Sequence, residues 1–479
     1  MNIQYALTTL LLFVAGSTAI ASDQGNATRP NFILFITDDI SQEDFGCYGN
    51  AAASTPNLDQ MAAEGMRFTN AYLTCSSCSP SRCSLITSRY PHNTGACELH
   101  TELPEGHFLF PKALQDAGYY TALSGKHHMG KKVDHAFDKI SKGKGPGKEE
   151  DWVTMLQERP KDKPFFFWFA STDAHRGWEI NDDAPKLDPA TIPVPPYLVD
   201  SETTREDLAS YYHEVSRSDT FAGKLREELD NQGITGDTYL IYMSDNGRPF
   251  PRCKTRLYDS GIKSPLIIFC PGKIKPAVSQ SLVSVNIDIG PTILELAGVD
   301  KSPRMQGVSL TPLFSDADAT VRDYVFSEHN WHVMQANERS VRHGKYLYIK
   351  NNYPQLQSMC VESAPAFPAG HDLWNAHAAG TLTKDQRDIF LVPRPTQELY
   401  DVIADPHQLK NLATEAAFGS QVADLDKLLN QWTAETKDSI STDPTPDRQT
   451  AKGKKHPHWR HRVQPGVEAG SIEVNAAGP

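Results

Sequence analysis

Unbroken apolar runs are the most regular pattern in the chain, and they predict buried strands. The clearest are Asn31–Thr37, Phe165–Ala170, Thr238–Ser244 and Pro265–Cys270. A short run without alternating polar residues is typical of a strand covered on both faces, as in a parallel sheet. Longer polar segments separate the runs, so we predict an α/β fold in which helices flank a mixed sheet.

Helix signals occur in the segments between these runs. Thr55 and Pro56 form the N-cap and first-position pair that predicts a helix over Asn57–Gly65. A long polar helix is predicted over Ser201–Gln232. Both helices fall between predicted strands, as an α/β fold requires.

The pattern changes in the last third of the chain and predicts a second, smaller unit. Ser340–Ile349 alternates as an antiparallel strand does, and a helix is expected near Gln421–Thr436. We therefore predict a main domain over residues 22–335 and a smaller C-terminal α+β subdomain over residues 336–436. Residues 437–479 are proline-rich and charged, which indicates a flexible tail.

The N-terminus has the pattern of an export signal. Ala6–Ala15 is apolar but too short to span a bilayer, and Ala19-Ile20-Ala21 is an A-x-A cleavage sequence. Met1–Tyr5 lacks the lysine or arginine that usually precedes such a run, so a buried N-terminal helix is the alternative. We predict a signal peptide over residues 1–21 and export to the periplasm or the cell exterior. We expect no membrane span, because no later segment is sufficiently apolar.

Composition and charge restrict the function classes. The chain has 479 residues, of which 39% are hydrophobic and 22% are charged, as in a folded globular protein. It has 47 lysines and arginines against 59 acidic residues, a formal net charge of −12. This balance argues against a nucleic-acid partner, which requires a basic surface. An anionic substrate would need positive charge that is concentrated locally.

The eight cysteines allow several interpretations. Some of them could pair in an exported protein, but the connectivity cannot be deduced from the sequence. Cys75 and Cys78 form a C-x-x-C motif, which occurs in redox sites and as half of a zinc site. Cys83 and Cys97 do not supply a second pair at a suitable spacing, so the sequence does not support a zinc site.

Polar residues gather where two of the buried runs end. Asp38 and Asp39 follow the first run, and Asp245 and Asn246 follow the third. In open α/β sheets, sites form outside the carboxyl ends of the strands. Three carboxylates and an amide oxygen suit Ca²⁺, or Mg²⁺, rather than zinc. Each pair alone would also be typical of a turn or a helix cap.

One segment indicates a family. Cys78-Ser79-Pro80-Ser81-Arg82, continued by Thr87-Ser88-Arg89, resembles the C-x-P-S-R…T-x-R signature of type I sulfatases. The resemblance implies the fold of the alkaline phosphatase superfamily over about residues 29–436, with catalysis in the main domain. It implies that Cys78 is oxidised to formylglycine by a formylglycine-generating or an anaerobic sulfatase-maturating enzyme. The implied metal-binding residues are Asp38, Asp39, Cys78, Asp245 and Asn246.

Further segments of the family follow in its usual order. Gly125–Gly130 resembles the segment that supplies a catalytic lysine and histidine, here Lys126 and His128. Asp173-Ala174-His175 resembles a D-P-H segment, with alanine in place of the proline. Lys254 lies in a segment resembling the one that supplies a second sulfate-binding cation. The implied catalytic residues are Cys78, Arg82, Lys126, His128, His175 and Lys254.

Sulfate-ester chemistry explains these residue types. The ester is an anion that repels a nucleophile, so Arg82, Lys126 and Lys254 are expected to neutralise its charge together with the metal ion. In the family, a hydroxyl of hydrated formylglycine attacks sulfur, and His128 is expected to help deprotonate the second hydroxyl. We assign protonation of the leaving oxygen to His175, because histidine titrates near neutral pH.

A narrower resemblance concerns the substrate. Gly125–His128 and Ser244–Pro251 resemble the subgroup of N-sulfoglucosamine sulfohydrolase and of bacterial sulfatases that act on polysaccharides such as ulvan. Lys254 departs from the former, which has arginine there. We expect hydrolysis of O-sulfate esters on a polysaccharide-derived saccharide, at a chain end. The alternatives are N-desulfation of glucosamine, phosphodiester or phosphonate hydrolysis within the superfamily, and, if Cys78 stays unmodified, sulfated-glycan binding without catalysis.

Residues outside these motifs also have predicted roles. Trp178 and Trp331 are candidates for stacking on a sugar ring. Glu328–His332 is either a rim of the substrate pocket or an ordinary loop. His92 and His127 are expected to have structural roles.

Overall fold

Two sheets organise the chain in the computed structural model, which describes residues 29–456, 464–466 and 471–479. The predicted signal peptide, residues 1–21, lies outside the described residues. The strands are β1 Asn31–Thr37, β2 Met66–Tyr72, β3 Tyr120–Gly125, β4 Lys139–Ser141, β5 Phe165–Ala170, β6 Thr238–Ser244, β7 Leu266–Phe269, β8 Ala277–Ser284, β9 Tyr324–His329, β10 Glu338–His343, β11 Tyr346–Asn351 and β12 Gln397–Asp401. The α-helices are α1 Pro56–Glu64, α2 Cys78–Thr87, α3 Phe110–Asp116, α4 Trp152–Glu158, α5 Glu202–Asn231, α6 Asp259–Ile262, α7 Val285–Leu296, α8 Thr311–Ser315, α9 Pro368–Ala379 and α10 Gly419–Glu435.

The larger sheet has eight strands within residues 29–456, in the order β4-β3-β5-β1-β6-β7-β2-β8. β3, β5, β1 and β6 are parallel neighbours, and β7 runs antiparallel between β6 and β2. Each of the four apolar runs forms a strand of this sheet. The predicted mixed α/β architecture is therefore confirmed.

Burial on both faces explains why the strands lack polar alternation. One face of β1, with Ile33 and Phe35, packs against α1 and α5. The other face, with Phe32 and Leu34, packs against the helices α2 and α7. Since helices cover both faces of the sheet, side chains on both faces of a strand are buried. Apolar residues are therefore favoured at successive positions.

The smaller sheet is antiparallel, with the order β12-β11-β10-β9, and α10 packs on it. The prediction of one strand over Ser340–Ile349 is wrong. The segment is a hairpin in which β10 pairs with β11 and His343 lies opposite Tyr346. Gly344 has a φ of +54° in the turn, a conformation that glycine adopts easily. The first strand, β9, comes before residue 336, the expected start of the subdomain.

The described parts of the segment after residue 436 contact the rest of the chain. Asp438 and Arg339 form an ion pair with two hydrogen bonds, one of which is 2.9 Å long. The Thr445 hydroxyl donates to Glu98, and the Ser471 hydroxyl donates to the carbonyl of His92. At these points the segment that was expected to be a flexible tail is held against the body of the protein.

Within the described residues, no helix combines the length and the apolar character that crossing a membrane requires.

Replacing Trp432 with alanine is expected to destabilise the protein. Trp432 is fully buried on α10, lies parallel to Phe326 at 5.0 Å and meets Tyr90 edge to face at 5.1 Å. The cavity left by Trp432→Ala should lower the free energy of unfolding by about 3–5 kcal/mol. Chemical denaturation measures this change. Gln431→Ala, at an exposed neighbouring position, should change it by less than about 0.5 kcal/mol. Equal stability of the two variants would contradict this account of the packing.

Candidate active site

The polar residues that follow four neighbouring strands meet at one edge of the larger sheet. Thr37 at the end of β1 lies opposite Ser244 at the end of β6, so Asp38-Asp39 and Asp245-Asn246 emerge side by side. The Asp39 amide donates to Asp245 Oδ1 at 3.3 Å, and the Asn246 amide group donates to Asp39 Oδ1 at 2.5 Å. The two pairs that were expected to form one site are therefore adjacent.

Cys78 begins the helix α2 and points at the same carboxylates. Its Sγ lies 3.8 Å from one oxygen of Asp38 and 3.8 Å from one oxygen of Asp39. One ligand atom each of Asp38, Cys78 and Asp245 fits within 4.8 Å of the others. Burial raises the pKa of the Cys78 thiol to about 12. An unmodified thiol would therefore stay protonated near neutral pH and would be a poor nucleophile.

Each of the three carboxylates pairs with a cation, and Asp245 also lies 4.0 Å from a second one, the Lys126 ammonium. Lys126 follows β3 and pairs with Asp38. The Lys254 ammonium lies 2.6 Å from Asp39, and Arg82 Nε donates to Asp245 at 2.8 Å. Because α2 is a helix, Arg82 lies one turn after Cys78, as expected. The structure thus brings all the predicted cations to the predicted metal residues and compensates their charges.

The two lysines stay charged. Burial opposes the ammonium form of Lys126, but the neighbouring negative charges, that of Asp38 first, together outweigh burial and raise the pKa of Lys126 above the ordinary value. Burial also opposes charge on Lys254, and Asp39 raises the pKa of this lysine well above the ordinary value. Both groups are therefore cations across the physiological pH range.

The residues present fit a hard divalent cation. The Asn246 side-chain oxygen is buried and accepts no hydrogen bond from the residues that the structure describes. An unpartnered buried oxygen beside three carboxylates is an arrangement that a bound cation would satisfy. Oxygen atoms of Asp38, Asp39, Asp245 and Asn246 would hold Ca²⁺ or Mg²⁺, with residue 78 adjacent.

His175 lies exposed beyond the end of β5, at the wall of a cavity of about 960 Å³ that includes its open mouth. Its Nδ1 donates a hydrogen bond of 2.6 Å to the carbonyl of Arg176. That bond leaves Nε2 to carry the exchangeable proton. Lys126 and His128 line the same cavity. The geometry suits proton transfer to a group bound there.

His128 contacts a residue that sequence reasoning missed. Its Nε2 lies 2.8 Å from Nδ1 of His100, whose backbone amide donates to the Ser79 hydroxyl at 2.7 Å. Burial, with the neighbouring Lys126 charge, lowers the pKa of His128 below its ordinary value. A neutral imidazole can accept a proton. His100 lies in a loop without a motif, so no sequence signal could have identified it.

Two more residues lie near the site: His332, from the segment named as a possible pocket rim, and Glu362, which sequence reasoning missed. His332 Nδ1 lies 2.6 Å from the hydroxyl of Ser77, the N-cap residue of α2. Glu362 lies 4.0 Å from the Lys254 ammonium. His332 belongs to the segment Glu328–His332, of which Glu328 and His329 are buried in β9.

The remaining aromatic and histidine candidates have structural contacts. Trp331 is buried, and its indole N–H donates to the Pro446 carbonyl. The prediction that a sugar ring stacks on Trp331 is therefore wrong. Trp178 is half-buried and donates to Asp207. His92 is paired with Glu328, and His127 with Asp134, as structural roles require.

The cysteines supply no disulfide. All eight lie within residues 29–456, and each of them is free there. Cys75 is buried, and its thiol contacts the carbonyl of Ser77 at 3.8 Å. Cys75 and Cys78 therefore form no disulfide with each other in this structure.

Comparison with known proteins gives matches along most of the chain. The model of the sulfatase family matches residues 30–299, and a model described as N-sulphoglucosamine sulphohydrolase, C-terminal, matches residues 253–359. N-sulphoglucosamine sulphohydrolase of Homo sapiens is 31% identical over 463 residues, covering 86% of this chain and 91% of the relative. An ulvan-active sulfatase of Formosa agariphila is 25% identical over 464 residues, covering 84% of this chain and 74% of the relative.

A solved structure shares the fold. It holds a protein in complex with its substrate, D-glucosamine-2-N,6-O-disulfate, and is similar with a TM-score of 0.66 at 21% identity. The match covers 86% of this chain and 99% of that chain. At this level of identity the similarity concerns the architecture alone.

Calcium binding should stabilise the protein measurably. Adding Ca²⁺ to chelator-treated protein at about a hundred times its Kd should raise the free energy of unfolding by about 2.7 kcal/mol. Thermal unfolding measures the shift without any need for enzyme activity. Asp245→Asn should lose most of the shift, whereas Asp424→Asn on the exposed face of α10 should keep it. An unchanged unfolding temperature at saturating Ca²⁺ and Mg²⁺ would refute the assignment of these ligands.

Proposed function

The chain belongs to the sulfatase family, whose members hydrolyse sulfate esters, and from this premise we propose that it is an exported, formylglycine-dependent sulfatase acting on a sulfated carbohydrate. The observation that carries the proposal is the position of Cys78. It lies on the first turn of α2, and its Sγ is 3.8 Å from an oxygen of Asp38 and from an oxygen of Asp39. Lysine side chains pair with both carboxylates. This arrangement supports a nucleophile at residue 78 and a sulfate beside it.

Maturation and a divalent cation supply the chemistry that unmodified side chains lack. Formylglycine at position 78 would provide the nucleophilic hydroxyl in its hydrated form, and Ca²⁺ or Mg²⁺ would lower that hydroxyl's pKa. We propose that a formylglycine-generating or an anaerobic sulfatase-maturating enzyme converts Cys78. The raised pKa of the unmodified thiol supports the need for conversion, because a protonated thiol attacks slowly.

Lys126 and Lys254 hold the sulfate and stabilise the charge that moves during the reaction. Each ammonium lies on one carboxylate of the metal set, on either side of residue 78. A buried ammonium stabilises a developing negative charge more strongly than an ammonium in water does. Arg82 is fully buried, pairs with Asp245 and orients that carboxylate, and its positive charge adds to the attraction for the sulfate.

The two histidines divide the proton transfers. His175 is exposed in the cavity with Nδ1 bonded to a carbonyl, so its protonated Nε2 can give a proton to the leaving oxygen. His128 has a lowered pKa and is neutral, so it can take a proton from a hydroxyl of residue 78. The lowered pKa of His128 makes it the neutral imidazole, and the Nδ1 bond of His175 leaves its Nε2 as the atom from which a proton would be transferred.

The substrate is an O-sulfated saccharide derived from a polysaccharide, taken at a chain end. The ulvan-active relative supports a polysaccharide source. N-desulfation of glucosamine is the second candidate, because the human relative has that name and the C-terminal model of its family matches residues 253–359. The phosphodiester alternative receives no support from the metal residues, which include no histidine.

Mass spectrometry of the peptide that contains Ser76–Arg82 tests the nucleophile. In protein from a host with maturation machinery, residue 78 should have the mass of formylglycine, whereas Cys83 in the same helix should remain cysteine. A Cys78→Ala variant should release no sulfate. Unmodified Cys78 in all molecules of an active preparation would overturn the mechanism.

Removal of either lysine should lower kcat/KM strongly without unfolding the protein. Lys126→Ala and Lys254→Ala each remove a cation from the reacting charge and should lower kcat/KM by about 10²–10³-fold. Lys427→Ala, at an exposed site on α10, should have native kinetics. Steady-state kinetics with calorimetric unfolding separates a catalytic loss from an unfolded variant. Near-native turnover in either lysine variant would show that its role is assigned wrongly.

A substrate screen tests the carbohydrate class. Mature enzyme is incubated with sulfated oligosaccharides from ulvan, carrageenan, fucoidan and heparin, and free sulfate is measured. We expect release from O-sulfated saccharides. Release confined to N-sulfated heparin fragments would favour the second candidate, and release from none would overturn the carbohydrate assignment.

A further inference from the structure

One loop at the wall of the catalytic cavity carries positive charge that the mechanism does not use. Residues 142–148, with the sequence KGKGPGK, join β4 to α4, and we call this segment the lysine loop. Its Pro146 lines the cavity together with Lys126 and His175. A lysine lies two residues before Pro146 and another lies two residues after it. Both side chains therefore start close to the wall of the cavity that holds the catalytic groups.

Hydrogen bonds hold the loop against the segment that carries His175. The Gly147 carbonyl accepts the backbone N–H of Thr172 at 3.0 Å, and the Pro146 carbonyl accepts the Thr172 hydroxyl at 3.0 Å. A Cβ atom added to Gly147 would lie 2.7 Å from an oxygen of Asp173, so the two segments are in close contact. The backbone of the loop thus has a defined position beside the catalytic residues.

Lys148 adopts a backbone conformation that favours glycine. Its φ is +65°, in the left-handed region that a residue with a side chain rarely occupies. Its Cβ lies 3.6 Å from the place that a Cβ of Gly125, the residue before Lys126, would take. Strained conformations of this kind are concentrated at ligand-binding segments. Here the strain places a half-buried lysine next to the strand end from which Lys126 emerges.

The lysines of the loop have no acidic partner. Lys139, just before the loop, pairs with Glu158 at 3.2 Å, whereas none of the three loop lysines has an ion pair within residues 29–456. Lys142 and Lys144 are exposed to solvent. In a chain with a formal net charge of −12, unpaired cations at the wall of one cavity produce a local positive potential that attracts anions.

The acidic residues that follow the loop leave most of this charge uncancelled. Glu149 is buried, and burial, with the Asp173 charge beside it, raises the pKa of Glu149 well above the ordinary value. Glu149 therefore adds little negative charge near neutral pH. Glu150 is exposed. Between residues 142 and 150, three ammonium groups are accompanied by one exposed carboxylate.

We propose that the lysine loop binds a second anionic group of the substrate, a sulfate or a carboxylate on the target sugar or on the sugar linked to it. This inference rests on the proposed function, because Lys126 and Lys254 must hold the target sulfate at the same time. Those two lysines already pair with carboxylates, whereas the loop lysines keep their N–H donors for the second group. The preferred substrate is therefore a saccharide that is anionic at more than one position.

Matched saccharides test for this second site. Each set contains a singly sulfated hexose linked to glucose as the reference, the same hexose linked to glucuronic acid, and the reference with a second sulfate on the hexose ring. The sets differ in the ring position of the first sulfate. Sulfate release is measured with the mature, Ca²⁺-loaded enzyme, and calorimetry measures the binding of every member to the Cys78→Ala variant.

The native enzyme should prefer a doubly charged member. At low salt, its KM and Kd should be about fivefold lower than those of the reference, the size expected from exposed ion pairs. About 0.5 M NaCl should remove most of this difference, because salt screens exposed charges. The member that gains shows whether the second group is a carboxylate or a sulfate.

Variants locate the second site. The double variant Lys144→Gln/Lys148→Gln should reduce the difference to less than about twofold, with a far smaller change for the reference saccharide. Lys273→Gln/Lys275→Gln removes the same charge at exposed positions after β7, whose antiparallel direction places them at the opposite edge of the sheet. This control should keep the difference. Lys144→Gln alone, at an exposed position, should lose part of the difference and keeps the test valid if the double variant does not fold.

The outcomes separate the second site from the proposed function. Equal KM and Kd values for all members of every set in the native enzyme would overturn the second site while leaving the sulfatase assignment intact. A difference that persists in the Lys144 variants, or that the control variant also loses, would show that the loop is not its source. Release of sulfate from no member, and from no oligosaccharide, would overturn the proposed carbohydrate sulfatase itself.

Discussion

The parallel pairing of β1 with β6 is the constraint on which the site depends. Two acidic segments that are far apart in the chain emerge side by side only because Thr37 lies opposite Ser244. A shift of the register by one residue would reverse the direction of every side chain on the strand and would separate the carboxylates. The apolar cores on both faces of the sheet hold this register, so packing at a distance fixes the geometry of the oxygen atoms.

Charge compensation is the second requirement of the site. Asp38, Asp39 and Asp245 are buried together, and three cations, Lys126, Lys254 and Arg82, pair with them. Carboxylates without such partners would be costly to bury. A divalent cation would add two positive charges to this balanced set. The surplus suits an anionic ester approached by an anionic nucleophile, and it resolves the apparent conflict between an acidic protein and an anionic substrate.

The strands could be predicted from sequence because their cause is local, whereas other features have causes that lie elsewhere in the chain. The bounds of β1, β5 and β6 follow directly from their apolar runs. The hairpin over residues 338–351 was missed because one glycine interrupts a pattern that otherwise alternates like a single strand. The core of the site came from motif resemblance. His100 and Glu362 lie in segments that only tertiary packing brings to the site, so no motif could predict them.

The burial of Cys78 limits when the proposed conversion to formylglycine can take place. Its side chain is 2% exposed, and all ten residues of its helix are buried. A second protein cannot enclose this thiol in its own active site once the helix has packed between the sheet and α7. Any enzyme that oxidises Cys78 must therefore meet the segment as an extended, unfolded peptide. Synthesis, oxidation and folding then compete in time, and a chain that folds before it is oxidised would be trapped as a stable but inactive protein.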